Sequence, residues 1–177
     1  MNYPKAVAYH EAGHAVIARL LNVETTETFS DHASGHVQTP SLSFKEQGTP
    51  AFKEALLTDM KIALAGPIAE HRHSPQIYKK SQRDGSHKED LENIVSFAFM
   101  YFFGDKFKGT TVSTADLPPE VINLIDEVKR SAAVMVKDNW NLIKFVGDIL
   151  LATGKLTQAD IDSAIENVQR KSAALAC

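Results

Sequence analysis

A chain of 177 residues, 44% hydrophobic and 23% charged with a formal net charge of −3, has the size and balance of one globular domain. It is long enough to bury roughly 70% of the surface its unfolded form exposes, so it needs no disulfide staples, and its lone cysteine, Cys177, allows none within the chain. The mild acidity and the lack of a basic stripe argue against nucleic acid as the main partner, no G-x-x-x-x-G-K-[ST] loop supports ATP hydrolysis, and the longest apolar stretch, residues 94–103, falls short of the roughly 18 needed to span a bilayer.

In chain order, residues 2–21 read as a helix, with Asn2 as N-cap, Pro4 tolerated in the first turn and Asn22 as the stop. Residues 23–43 turn to Thr, Ser, Val and Phe with Gly35 and Pro40, the texture of a small two- or three-stranded sheet. Thr49-Pro50 opens a second helix, whose apolar positions Phe52, Ala55, Leu56, Met60, Ala63 and Leu64 recur at helical spacing. Gly66-Pro67 predicts a kink or break before Ile68, because proline removes a backbone donor and crowds the preceding turn. Residues 71–85, polar and irregular, read as a mobile loop. Ser86-His87-Lys88-Glu89 has the form of a capping box and predicts a third helix, with an apolar face of Leu91, Ile94, Val95, Ala98 and Phe102 and an end at Gly104. After a loop with Thr110, Thr111 and Ser113, Pro118-Pro119 introduces a long helical pattern from Glu120 to about Ala152, closed by Thr153-Gly154. A last helix follows from Thr157 with Ile161 and Ile165 on one side. The expected class is mainly α with a small β-sheet, a single domain over residues 1–177.

The first helix carries the chemistry. Tyr9-His10-Glu11-Ala12-Gly13-His14 contains H-E-x-x-H, and four residues at 3.6 per turn return His14 to nearly the face of His10, where two imidazoles can hold one ion. Glu11 lies about 100° round the helix, beside the ion, where a carboxylate can take a proton from water. A zinc hydrolase needs that arrangement, since zinc lowers the pKa of its water to about 7 and polarises the scissile carbonyl. The motif is embedded in apolar sequence, so the helix is buried and its polar groups must be satisfied. Gly13 costs a helix roughly 1 kcal/mol relative to alanine, which points to a close approach of another backbone or of substrate.

A catalytic zinc usually has a third protein ligand. By composition the candidates are Glu70, His71, His73, Asp84, His87, Glu89 and Asp90. Asp90 is preferred, because it follows the capping box in the first turn of a helix that can cross the first one, and the helix dipole there keeps a carboxylate ionised.

Three blocks carry a resemblance: His10-Glu11-Ala12-Gly13-His14-Ala15-Val16, Leu64-Ala65-Gly66-Pro67-Ile68-Ala69-Glu70, and Gly85-Ser86-His87-Lys88-Glu89-Asp90-Leu91. Together they resemble the peptidase domain of FtsH-type membrane-anchored AAA+ zinc proteases. Ile125-Asp126-Glu127-Val128-Lys129-Arg130, Leu150-Leu151 and Leu156-Thr157-Gln158-Ala159-Asp160-Ile161 are similar to that family's C-terminal helices, so the resemblance covers nearly the whole chain. It implies His10, His14 and Asp90 as zinc ligands and Glu11 as catalytic base. It also implies that Ala33-Ser34-Gly35-His36-Val37 is the strand that receives an extended substrate, with Gly35, His36 and Val37 as the substrate-binding residues. Pro67 stands where the family commonly has arginine, and the stretch from His71 to Gly85 is atypical.

The chain shows no AAA+ module, secretory signal or transmembrane anchor. The expected object is therefore a free-standing, cytoplasmic, ATP-independent zinc metalloendopeptidase acting on unfolded polypeptides or peptides, with a homo-oligomer or a separate ATPase as partner. The alternatives are a zinc-bearing peptide-binding or adaptor module that does not cut, and a self-processing or narrowly specific peptidase. His36 is a candidate oxyanion donor. His71 and His73 read as solvated loop residues, and Phe97, Phe99, Phe102, Phe103 and Trp140 as core or a subunit contact.

Overall fold

In the computed structural model, residues 3–31, 34–39, 48–85, 87–104 and 117–175 are described. Asn2, Ala33, Pro40, Ser86, Thr110, Thr111, Ser113 and Cys177, which the sequence singles out, lie outside them. The fold is mainly helical with a small antiparallel sheet.

Helix α1 (Tyr3–Leu20) is the central element, with Ala8, Ala12, Ala15, Val16 and Ile17 all fully buried. It stops in a Schellman motif. Asn22 sits at φ 59°, a left-handed conformation asparagine tolerates, and the Asn22 and Val23 N–H groups return to the Arg19 and Ala18 carbonyls at 3.0 and 2.9 Å. Val23 then packs on Ala18, the contact that accompanies such caps.

Strands β1 (Glu27–Ser30) and β2 (Gly35–Gln38) form an antiparallel hairpin with Phe29 opposite His36 and Ser30 opposite Gly35. Helix α2 (Pro50–His73) begins as the sequence predicts, with the Thr49 hydroxyl accepting the Phe52 N–H at 3.2 Å and Pro50 in the first turn. Two expectations fail beyond it. The predicted break is absent: the helix runs on through Pro67, because Leu64, Ala65 and Gly66 before the proline and Ala69 and Glu70 after it are all buried, many of them against α1, and that packing outweighs the lost backbone donor. Residues 71–85 are not a loop: α2 reaches His73, and α3 (Pro75–Asp84) follows, entered through Pro75 and ended by Gly85 at φ 75°. Ile77 and Ser81 are its buried positions, so this polar helix is held by one inward stripe.

Helix α4 (Lys88–Phe103) starts where expected, but its N-cap is His87, which makes no side-chain capping bond. Its buried positions are Ile94, Ala98 and Phe99 in the middle turns; Leu91 and Phe102, expected on the apolar face, lie in the terminal turns and are 52% and 42% exposed. The predicted long helix is divided into α5 (Pro119–Asp138) and α6 (Trp140–Thr153). The break falls at Asn139, whose backbone N–H makes the last ladder bond of α5 to the Met135 carbonyl at 3.1 Å while its side-chain amide turns back to the same carbonyl at 2.9 Å and caps the helix there. Gly154 ends α6 at φ 75°. Strand β3 (Lys155–Thr157) joins the far side of β1, giving the order β2-β1-β3, and α7 (Gln158–Leu175) completes the chain.

Two apolar clusters result. One gathers α1, α6, β3 and α7 with Ala65 and Ala69 of α2, and the other gathers α2, α4 and α5 around Met60, Ile94, Phe99 and Val128. Helix α2 belongs to both, and the polar groups described next lie along its seam with α1. No helix among the described residues is long and apolar enough to cross a membrane.

Candidate metal centre

Helices α1 and α2 approach so closely that side chains larger than hydrogen are excluded at two points. A Cβ on Gly13 would lie 2.7 Å from both the Ala65 carbonyl oxygen and the Ala69 Cβ, which explains the helical glycine that the sequence leaves costly. A Cβ on Gly66 would lie 2.2 Å from His14 Nε2. The seam thus trades side-chain volume on both helices for room in which the imidazole of His14 can sit.

Each imidazole is oriented by a group behind it. His14 Nδ1 is 2.7 Å from the Ile62 carbonyl oxygen, which can only accept, so Nδ1 carries the hydrogen and Nε2 is left with its lone pair. His10 Nδ1 is 3.0 Å from Glu70 Oε2 and donates to that carboxylate, which in the neutral ring likewise leaves His10 Nε2 as a lone pair. These two nitrogens lie 3.0 Å apart. Asp90, in the first turn of α4, brings Oδ2 to 3.1 Å from His10 Nε2 and Oδ1 to 3.5 Å from His14 Nε2. Three electron-rich atoms therefore face one another with their N–H groups spent elsewhere, and such a cluster is stable only around a positive charge.

That requirement shows in the titration of the groups. Burial pulls the His10 imidazole down, but hydrogen bonds to the Asp90 and Glu70 carboxylates and the nearby charge of Glu11 outweigh it and carry the pKa up to about 10. Burial opposes ionisation of Asp90, yet the His14 and His10 rings hold its carboxyl well below the usual range, and the same balance, with His10 and His87 as partners, brings Glu70 down to about 2. A proton on His10 is one way to supply the positive charge. A divalent cation is the other, and the donor set suits it: the two imidazole nitrogens lie 3.0 Å apart with one Asp90 oxygen 3.1 Å from the first and the other 3.5 Å from the second, spacings close to the roughly 3.3 Å edge of a tetrahedron with 2.0–2.1 Å ligand bonds.

Glu11 sits beside this cluster and is 6% exposed. Burial raises its pKa, and the neighbouring His10 and His14 oppose that rise. Its carboxylate touches the sheet, since a Cβ on Gly35 would lie 2.5 Å from Glu11 Cγ and 2.7 Å from Oε1. Above the cluster opens a cleft of about 300 Å³, walled on one side by Gly35, His36 and Val37 of β2 and on the other by Ile62, Ala63 and Phe97. β2 is an edge strand among the described residues, pairing with β1 alone.

Of the candidate ligands, then, the structure brings Asp90 to His10 and His14. Glu70 and His87 lie behind His10, with His87 Nε2 2.7 Å from Glu70 Oε2. His71 packs on the Tyr78 ring and His73 on the Tyr9 ring, neither of them in the cluster. Glu89 is exposed at the cleft wall, and Asp84 closes α3 with its side chain outside the described set. The His36 ring lies 5.5 Å from that of Phe29, with Nε2 3.7 Å from Glu27. Phe99 is core, Phe97 lines the cleft, Phe102 and Phe103 are exposed, and the Trp140 ring stacks under the Arg72 guanidinium at 4.9 Å. The sequence reading misses the Ile62 carbonyl and Gly66, and it places Glu70 and His87 as rival ligands where the structure has them as supports. The available signal was Glu70 itself, a carboxylate in the apolar run after Ile68-Ala69.

No protein-family model matches the chain. It is 26% identical over 182 aligned positions to the ATP-dependent zinc metalloprotease FtsH of Endomicrobium trichonymphae. The alignment covers 90% of this chain and 29% of that protein, so the chain spans less than a third of its curated relative.

Proposed function

We propose that this chain is a zinc-dependent metalloendopeptidase, similar to the peptidase part of FtsH, that cleaves unfolded or extended polypeptides without ATP. The observation that carries the reading is the convergence of His10 Nε2, His14 Nε2 and the Asp90 carboxylate beside a buried Glu11, at the floor of a cleft under an edge strand. His10, His14 and Asp90 would hold the metal, and the named activity of the FtsH relative supports zinc as its identity. When bound, zinc supplies Lewis acidity, bringing water into the neutral titration range and polarising a carbonyl.

The remaining steps belong to the chain. The edge of β2 that is unpaired among the described residues offers backbone N–H and C=O groups to an extended substrate, a pairing any unfolded sequence can make, and so lays the scissile bond across the cleft. Glu11 takes the proton of the attacking water and passes it to the leaving amine; its burial raises its proton affinity toward the value a neutral-pH base requires. The close seat of Gly35 on Glu11 keeps the base and the substrate strand in fixed relation. The lone Cys177 accords with a cytoplasmic setting.

The test is hydrolysis of casein by zinc-loaded wild type and Glu11→Gln side by side, without ATP. The expected result is cleavage by wild type, a loss of about 10²–10⁴-fold in the variant, and equal zinc content in both. Equal cleavage would remove Glu11 from the chemistry. Peptide binding with zinc present and no product from either would identify a binding module instead.

A further inference from the structure

We infer that His87 is a positioning residue for the metal cluster: through Glu70 it ties the start of α4, and with it Asp90, to His10. The inference rests on the metal centre of the proposed function. It starts from the Glu70 carboxylate, which is 5% exposed and has three donors around it. Oε2 lies 3.0 Å from His10 Nδ1 and 2.7 Å from His87 Nε2, and Oε1 accepts the Ser81 hydroxyl at 3.0 Å. One oxygen thus joins α1, α2 and the residue that precedes α4.

His87 stands at the N-cap of α4 yet gives that helix no side-chain bond. Its ring turns inward instead, 4% exposed, stacked on His10 at 5.2 Å with 19° between the planes and 5.1 Å from the Tyr78 ring. Because Nε2 donates to Glu70, a neutral ring leaves Nδ1 a lone pair, and among the described residues this buried atom has no hydrogen-bond partner, so Glu70 is what holds the ring. Asp90 comes three residues later, within the first turn, where the Leu91 N–H already bonds the His87 carbonyl at 3.1 Å. His10 and His14 ride on a helix buried along its length, whereas Asp90 stands in the first turn of α4, ahead of that helix's first buried residue, Ile94. A shift of His87 therefore moves Asp90 against the two imidazoles.

His10, Glu70 and His87 are also close enough to share an ion. The distances favour hydrogen bonding, since both nitrogens reach the same oxygen at 3.0 and 2.7 Å, and the shorter is a hydrogen-bond length well inside the roughly 3.3 Å between two ligands of one tetrahedral ion. Of the two readings, positioning is the one the geometry carries.

The experiment uses Co²⁺ as the probe, titrated into the full chain and followed by its visible d–d absorption. His87→Phe keeps a ring in the space and removes the donor; His87→Gln keeps an N–H within reach of Glu70. Wild type is expected to take one Co²⁺ per chain. His87→Phe should bind it roughly 10–100-fold more weakly with an altered d–d band, and His87→Gln should return close to wild type in both. Thermal unfolding of the metal-free variants separates packing from positioning, because a merely structural role would lower the melting temperature and leave the Co²⁺ band and affinity as they are. A His87→Phe protein with wild-type affinity and band, or a second Co²⁺ bound by wild type and lost in that variant, would overturn the inference and leave the metallopeptidase reading in place. Absence of any Co²⁺ binding by wild type would overturn both.

Discussion

Helix α1 is buried on two sides, and the two sides treat polar groups differently. Toward α6 it presents Tyr9, whose ring fits over Gly147, where a Cβ would lie 2.8 Å from Tyr9 Cδ2, and whose hydroxyl donates to Asp148 Oδ1 at 2.7 Å. One donor meets one acceptor, and Val16, Ile143, Val146 and Leu150 make up the apolar cluster around α1 and α6. Toward α2 it presents His10 and His14, whose N–H groups point away to Glu70 and Ile62 while their lone pairs and Asp90 face inward. The first arrangement is complete within the protein and contributes stability. The second is complete only with an added positive charge, a proton on His10 or the metal ion of the proposed function.

The contrast breaks most sharply at Gly66. In Gly66→Ala the new methyl would stand 2.2 Å from His14 Nε2, and neither the α2 backbone nor a ring bonded to the Ile62 carbonyl can move aside cheaply. The expected outcome is loss of metal binding and of any hydrolysis, with a stability cost of about 1–3 kcal/mol from overpacking, read by metal titration and urea unfolding. Wild-type metal affinity in this variant would show that the His14 seat is not set by the glycine. On the other side of α1, Tyr9→Phe should do the reverse. It removes one hydrogen bond whose acceptor, Asp148, is exposed and can turn to water, so unfolding should register about 1 kcal/mol and metal affinity should not change. A Tyr9→Phe protein with weakened metal binding would mean that the two faces of α1 are coupled.

The same division decides what could be read from the sequence. The H-E-x-x-H pair, the Thr49-Pro50 start and the Gly104 and Gly154 stops are local signals, and the structure has a helix or a helix end at each of them. The hairpin β1–β2 is local too, but its third strand, β3, arrives from residues 155–157 and pairs Lys155 with Phe29 across the chain, a link no window of sequence contains. Polar composition hid α3, although Pro75 and Gly85 mark both its ends. Pro67 and Asn139 mislead in opposite directions: proline predicts a break that packing on α1 overrides, while asparagine makes one by capping Met135 inside a continuous helical pattern. At the centre, His10 and His14 are legible from spacing alone. The orienting partners Glu70, Ile62 and His87 come from 17 to 60 residues away from what they hold, and only the folded chain joins them.

The smallest effect sharpens the comparison by placing a closed polar pair in water. At the start of α7 the Thr157 hydroxyl donates to Asp160 Oδ2 at 2.6 Å, the Thr157 N–H donates to the same oxygen at 2.8 Å, and the Asp160 N–H reaches back to Thr157 Oγ1 at 3.4 Å. Like Tyr9 and Asp148 this pair is self-contained, but solvent can replace every bond in it. Thr157→Ala should therefore cost only about 0.5–1 kcal/mol. The Thr157 hydroxyl and backbone N–H hold the Asp160 carboxyl below its ordinary value, so its folded pKa lies under its unfolded one. Stabilisation from that shift is fully present above the unfolded value, about 3.9, and is lost as pH falls from there through the lower folded value. The gap between wild type and Thr157→Ala in urea unfolding should accordingly hold steady from pH 7 to about 5 and narrow below 4, because the variant keeps only the backbone share of the shift. A gap that widens on acidification would mean that the hydroxyl serves the protonated carboxyl, and that the α7 cap is an open site of the kind seen on the α2 side of α1.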